Sequence, residues 1–198
     1  TAEGFDEVLT PEPVRLVPPE MAGAPVGAAR RTTDTTGAPD GPRDGDETGP
    51  RFGLQLSSFD APGGAATLRE RVRAVAETAE AAGFDSIWVM DHFRQLPQLG
   101  RPWEDMLEST TTLGYLAAAT TRMSVGALVH GVTYRNVGLL AKAVATLDVL
   151  TGGRAWCGLG AGNYEAEHRA YGWPFPPAAE RLALLEEALQ ALALLWGP

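Results

Sequence analysis

Residues 86–93 read Ser86-Ile87-Trp88-Val89-Met90-Asp91-His92-Phe93 (SIWVMDHF), and an apolar run there passes directly into two residues that can carry charge. A short run of this kind is the mark of a parallel strand buried on both faces, and the carboxyl ends of parallel strands are where α/β proteins bind ligands. Asp91 and His92 are therefore the first candidates for chemistry. An imidazole titrates near neutral pH and can donate or accept, so His92 is read as a donor of a hydrogen bond or proton to a bound ligand. Asp91 is read as fixing the His92 tautomer or binding a ligand hydroxyl.

The flanking sequence repeats the same unit. Upstream, Phe52 to Leu56 alternates apolar residues with Gly53 and Gln55, as a strand does, and Pro62 to Gly64 forms a loop. Thr67 with Glu70 predicts a capping box, and Leu68, Val72, Val75, Ala76 and Ala79 follow at helical spacing before Gly83. Downstream, a loop to Pro102 leads to a predicted helix carrying Met106, Leu107, Leu113 and Leu116. A third strand is expected over Met123 to His130, and Asn136 is placed to cap a helix with Leu139, Leu140, Ala143, Val144 and Leu147 on one face. The fourth strand, Arg154 to Leu159, runs into a glycine-rich turn ending at Asn163. A short helix over Glu165 to Tyr171 and a long one from about Ala178 to Trp196, carrying Leu182, Leu185, Leu189, Leu192 and Trp196, complete the pattern.

Such alternation leaves two architectures, a doubly wound open sheet or part of a (β/α)8 barrel. Residues 51–198 suffice for four β/α units but fall well short of the ~250 residues of a complete barrel. In a parallel barrel the strand ends carrying Asp91, His92, His130 and Asn163 lie on one face.

Composition narrows the function classes. A chain of 198 residues with 44% hydrophobic and 21% charged residues can build one domain with a core. Its net charge of -9 and pI of 4.8 argue against a nucleic-acid or acidic-lipid surface. The single cysteine, Cys157, rules out an internal disulfide, fits a reducing cytoplasm and reads as a small buried apolar residue. No apolar run reaches the ~18 residues of a membrane span, and the acidic start TAEGFDEV lacks signal-peptide features, so a cytoplasmic location is expected. Residues 1–50 differ in kind: Pro and Gly supply 15 of them, a composition that buries too little surface to offset its ordering entropy. Within this tail Pro13 to Val17 reads as a short extended segment and Gly37 to Pro50 as a linker.

Several chemistries find no support in the motifs. Neither HxH, HExxH nor paired cysteines occur, and His168 reads as part of a solvated helix face with Glu165, Glu167 and Arg169, so no metal is expected. Gly158 to Gly162 (GLGAG) lacks the dinucleotide spacing, because Glu165 takes the last small-residue position; these glycines are read as allowing close backbone approach to a flat ligand. Neither a GxSxG elbow nor a Walker loop is present.

Taken together, AAGFDSIWVMDHF, TTRMSVGALVHGVTYRNVGLLAKAVATLDVLTGGR, CGLGAGNYEAEHRAYG and FPPAAERLALLEEAL resemble the bacterial luciferase-like oxidoreductases that use flavin or deazaflavin. The likeness is greatest to the actinobacterial type dependent on coenzyme F420. It implies a TIM barrel of which residues 51–198 form the first four units, a half barrel. It also implies hydride transfer between the deazaflavin and an organic small molecule, with His92 beside the reactive ring. The cofactor contacts implied are Asp91, Leu128, Val129, Gly131, Gly162 and Asn163, with a non-prolyl cis peptide near Leu128 and Val129. Ser57, His130 and Tyr164 are assigned to the substrate pocket. Asn163 stands where deazaflavin-dependent sugar-phosphate dehydrogenases carry a catalytic glutamate, and an amide cannot serve as that acid or base. Two alternatives stay open: an FMN-dependent monooxygenase, or a non-catalytic half-barrel subunit. The expected partners are a small-molecule substrate and either a second copy or a separate C-terminal half, with neither nucleic acid nor membrane among them.

Overall fold

Four strands, β1 (Gly53–Leu56), β2 (Ser86–Val89), β3 (Ser124–Gly131) and β4 (Ala155–Gly160), form one parallel sheet in the order β1-β2-β3-β4. The computed structural model describes residues 50–60 and 62–197; the tail, with its predicted segments Pro13 to Val17 and Gly37 to Pro50, lies outside the described residues except for Pro50. Each strand is followed by helix: α1 (Ala65–Ala81), α2 (Ser109–Ala119), α3 (Val137–Thr151), then α4 (Glu165–Tyr171) and α5 (Ala178–Trp196). A doubly wound sheet reverses its strand order at a switch point. The sequential order here has no reversal, which removes that alternative for the described residues.

Alternation along the strands divides the sheet. Leu54, Leu56, Ile87, Val89, Val125 and Ala127 pack with Val72, Ala76 and Ala79 of α1 and with Leu113 and Leu116 of α2. Burying each large aliphatic side chain there is worth ~1.5–3 kcal/mol, and Ile87, Leu113 and Leu116 are almost fully enclosed. The other row leaves Gln55, Leu128 and Trp156 exposed, with Trp88 edge-on to Trp156.

Local sequence explains how the helices begin and end. The Asn136 carboxamide accepts the Gly138 and Leu139 N–H groups at 2.8 and 3.3 Å, capping α3 as expected. Asn136→Ala should lower stability by about 1 kcal/mol, read as a shift in urea midpoint with unchanged slope. At the other end of α1, Gly83 N–H returns to Glu80 O and Phe84 N–H to Ala79 O, a Schellman closure. Arg154, buried at the head of β4, donates to Ala117 O, Thr120 O and Met123 O, satisfying carbonyls at the end of α2 and just before β3.

Several expectations need correction. The Thr67–Glu70 capping box does not form: the N-cap of α1 is Gly64, three residues earlier, and the Thr67 hydroxyl donates to Pro62 O and Gly64 O. Met106 and Leu107 precede α2, because Glu108 caps that helix by accepting the Thr110 and Thr111 N–H groups. Phe52 lies outside β1 and is exposed, while its N–H donates to the Asp85 carboxylate. Leu139, Leu182 and Leu189 are exposed; the buried stripe of α5 runs instead through Ala188 and Leu192. Cys157 is half-buried rather than enclosed. No helix of the described residues is long and apolar enough to cross a membrane.

Candidate active site

Because the strands are parallel, their carboxyl ends share one edge of the sheet, and a cavity of about 380 Å³ opens there. Asp91 and His92 after β2 line it, as do Leu128, Val129 and Gly131 of β3 and Gly162 and Asn163 after β4. Every predicted cofactor contact therefore meets at this one cavity, and the Leu128–Val129 peptide is cis. Met90, Leu96 and Tyr134 join the lining. The glycines of β4 serve their own chain first: a Cβ on Gly158 or Gly160 would meet the Val129 side chain at 2.8 or 2.7 Å. Their missing side chains let Val129 reach the cavity wall.

His92 is held from a distance in sequence. Its Nδ1 lies 3.1 Å from Glu167 Oε2, and its ring stands edge-on to Tyr164 at 6.0 Å. Glu167, with no exposed surface, also accepts the Phe93 and Arg94 N–H groups on Oε1 and the Tyr134 hydroxyl on Oε2. Burial alone would raise its carboxyl, but the His92, Tyr134 and Arg94 hydrogen bonds outweigh that and hold it below the usual carboxylate range. For Tyr134, burial and the Glu167 carboxylate together push the phenol well above its ordinary value.

Asp91 does not orient His92. Successive residues of an extended chain point in opposite directions, and the Asp91 carboxylate turns toward α2 and the β3–α3 turn. It accepts Arg135 Nη1 and Nη2 at 2.6 and 2.8 Å, the Gly131 N–H at 2.9 Å, and the Ser109 hydroxyl. Arg135 Nη2 also reaches Glu108 at 3.2 Å. Burial would raise the Asp91 carboxyl, yet the nearby His130 ring and the Arg135 guanidinium hold it far below its ordinary range. With its oxygens occupied in this way, Asp91 shapes the cavity through the Gly131 backbone.

The predicted substrate residues separate. Tyr164 stays beside His92, half-buried. His130 is fully buried 3.6 Å from Asp91, outside the cavity lining, because the strand turns its ring inward between sheet and helices; its Nε2 has no hydrogen-bond partner among the described residues. Ser57 also stands outside the lining, its carbonyl accepting from Gln95 Nε2 at 3.0 Å. His168 is the clearest reversal. Instead of facing solvent it is fully buried, with Nδ1 2.9 Å from Tyr164 O and Nε2 2.7 Å from the Thr133 hydroxyl. Its ring stacks on Tyr134 at 4.7 Å and meets Phe175 at 4.7 Å.

Sequence reading missed Tyr134, Arg135 and Glu167. Tyr134 and Arg135 lie between β3 and α3, a carboxyl-end connection of the kind that nominated His92, so position alone could have flagged them. Nothing in the run EAEHRAY separates Glu167 from the exposed Glu165; the docking of α4 does. Among the described residues no cluster of three or more His, Cys, Asp or Glu is arranged to hold a metal.

Comparison with known proteins adds four observations. The family model for luciferase-like monooxygenases matches residues 51–198. An F420-dependent glucose-6-phosphate dehydrogenase of Kineococcus radiotolerans is 37% identical over 124 residues, covering 60% of this chain and 34% of that protein. A phthiodiolone/phenolphthiodiolone dimycocerosates ketoreductase of a Mycobacterium strain is 33% identical over 149 residues, covering 63% and 38%. Among solved structures, the oxygenating constituent of 3,6-diketocamphane monooxygenase of Pseudomonas putida, in complex with FMN, superposes with a TM-score of 0.62. Its identity is 21%, with coverage of 74% of this chain and 39% of that one, and the likeness is one of fold. The chain spans about a third of the length of the curated relatives it matches.

Proposed function

Since the chain belongs to the luciferase-like monooxygenase family, we propose that it is the first four β/α units of a (β/α)8 barrel whose function is hydride transfer between a deazaflavin coenzyme and an organic small molecule. The observation that carries this reading is the convergence of His92, Leu128, Val129, Gly131, Gly162 and Asn163 on one cavity at the carboxyl edge of the sheet. The F420-dependent relative supports the choice of deazaflavin over FMN.

The residues present suit a flat, mostly apolar ring system. Leu128 and Val129, 51% and 39% exposed, offer an apolar wall at the cavity, and His92 and Asn163 supply polar groups at its rim. The deazaflavin, when bound, supplies the carbon that gains or gives up the hydride. His92 then holds or releases a proton at Nε2, its Nδ1 being engaged by Glu167. Asp91, itself held by Arg135, keeps the end of β3 in place by accepting the Gly131 N–H. Asn163 has no carboxylate to offer, so the substrate reading stops at an organic small molecule and does not extend to sugar phosphates.

The test is a titration of the intact protein with oxidised coenzyme F420, followed by absorbance and fluorescence, with FMN in parallel. Saturable binding of F420 is expected, with weaker binding of FMN. Neither cofactor binding would overturn the reading. Tight binding of FMN alone, with oxygen consumed when it is reduced, would replace it with a monooxygenase.

A further inference from the structure

We propose that Glu167 is a positioning residue that fixes His92 as the tautomer protonated on Nδ1, so that Nε2 presents a lone pair to the cavity. The proposal deepens the functional reading above and rests on it for the chemistry at Nε2, but the tautomer is a property of the protein alone.

The geometry leaves little freedom. Glu167 Oε1 faces two backbone N–H groups, those of Phe93 and Arg94, which can only donate. Oε2 receives the Tyr134 hydroxyl and lies 3.1 Å from His92 Nδ1. An ionised carboxylate only accepts, and these donors fill its lone-pair directions. Glu167 is held below the usual carboxylate range, so it has no proton of its own to give. The proton in the His92 contact therefore belongs to Nδ1. His92 lines the cavity, and no protein group is found hydrogen-bonded to its Nε2 among the described residues. When a substrate proton arrives at Nε2, the imidazolium forms next to a buried carboxylate whose charge compensates it. The ring is neutral again once that proton leaves.

The isosteric change Glu167→Gln makes a specific prediction. The two backbone donors hold the amide oxygen in the place of Oε1, so the new NH2 group must face His92 Nδ1. A donor there forces Nδ1 to accept, and the ring proton moves to Nε2. His92 then meets the cavity as a donor where it was an acceptor.

Histidine-selective 15N labelling of the intact protein reads this directly. The chain has three histidines, all within the described residues, at 92, 130 and 168. In the neutral ring of the wild type, His92 is expected to show a protonated Nδ1 and a bare Nε2. In Glu167→Gln the pattern should invert for His92 alone. His168 sits next in sequence on α4 with its Nδ1 toward Tyr164 O, so its unchanged signals report that the helix remains seated. Tyr134→Phe removes one donor to Glu167 and should leave the His92 tautomer as it was. A wild-type spectrum with the proton on Nε2 overturns the proposal, whatever the variants do. An unchanged His92 in a folded Glu167→Gln protein does the same. If the tautomers behave as stated but neither cofactor binds, the positioning role stands and the hydride-transfer reading fails. With cofactor and substrate, Glu167→Gln should lower turnover by about 10²-fold or more while KM changes little.

Discussion

Arg135→Ala should cost the fold about 3–5 kcal/mol at neutral pH, the range found when one partner of a buried ion pair is removed. Asp91 is 3% exposed and takes both Arg135 nitrogens, so the variant leaves its carboxylate with the Ser109 hydroxyl and the Gly131 N–H but no fixed counter-charge in hydrogen-bond contact. The dependence on pH has a definite sign. In the wild type the Asp91 carboxyl is depressed, so its contribution to stability is complete above the ordinary value of about 4 and is lost as pH falls through its folded value. In the variant the carboxyl keeps its His130, Ser109 and Gly131 partners but loses the guanidinium, so its folded value rises toward the ordinary one and the stability it contributes shrinks. The penalty of Arg135→Ala is therefore complete above the ordinary value of about 4 and diminishes as pH falls below it, and urea midpoints at neutral pH and at about pH 3 measure it. A variant as stable as the wild type at neutral pH would show that the pair contributes no more than a surface bridge.

His92→Ala should do the opposite, removing chemistry while sparing the fold. A positioned general acid or base is worth about 10²–10⁴ in rate, and turnover of the intact protein with F420 and substrate should fall by that amount. Stability should change by about 1 kcal/mol, because one hydrogen bond to Glu167 is lost while the Phe93, Arg94 and Tyr134 donors remain. An unaltered rate would remove His92 from the reaction and favour a non-catalytic half barrel.

The order of elements was open to a reader of the sequence because each unit declares its own period. β2 falls where its apolar run places it, α5 spans the residues that helical spacing predicts, and Asn136 caps α3 through chemistry local to its own turn. The place of Asp91 and His92 at the cavity was legible because a charged pair ends an apolar strand. What stayed hidden depends on docking. The helix carrying EAEHRAY reads as a solvated face until it packs over Tyr134, and only then do Glu167 and His168 become the two buried residues that hold His92 and Tyr164. The same holds for α1, where the capping-box pattern at Thr67 and Glu70 is outcompeted by a start at Ala65. His130 shows the converse limit. It ends a strand as His92 nearly does, yet its side chain turns to the helix layer, and a sequence alone does not say which face a strand end will show after an irregular register such as that between Ala127 and His130.

The opposed directions of Asp91 and His92 also bear on how such a site can change over generations. Both residues line the cavity, yet one peptide bond separates a carboxylate committed to holding the fold from a ring with few ties to it. Substitutions at position 92 can be sampled at small cost in stability, whereas position 91 is tied to Arg135, Ser109 and the end of β3. A lineage built on this scaffold is free to exchange the side chain at position 92 while inheriting the frame beneath it, and the usual trade-off between new activity and stability is relaxed there.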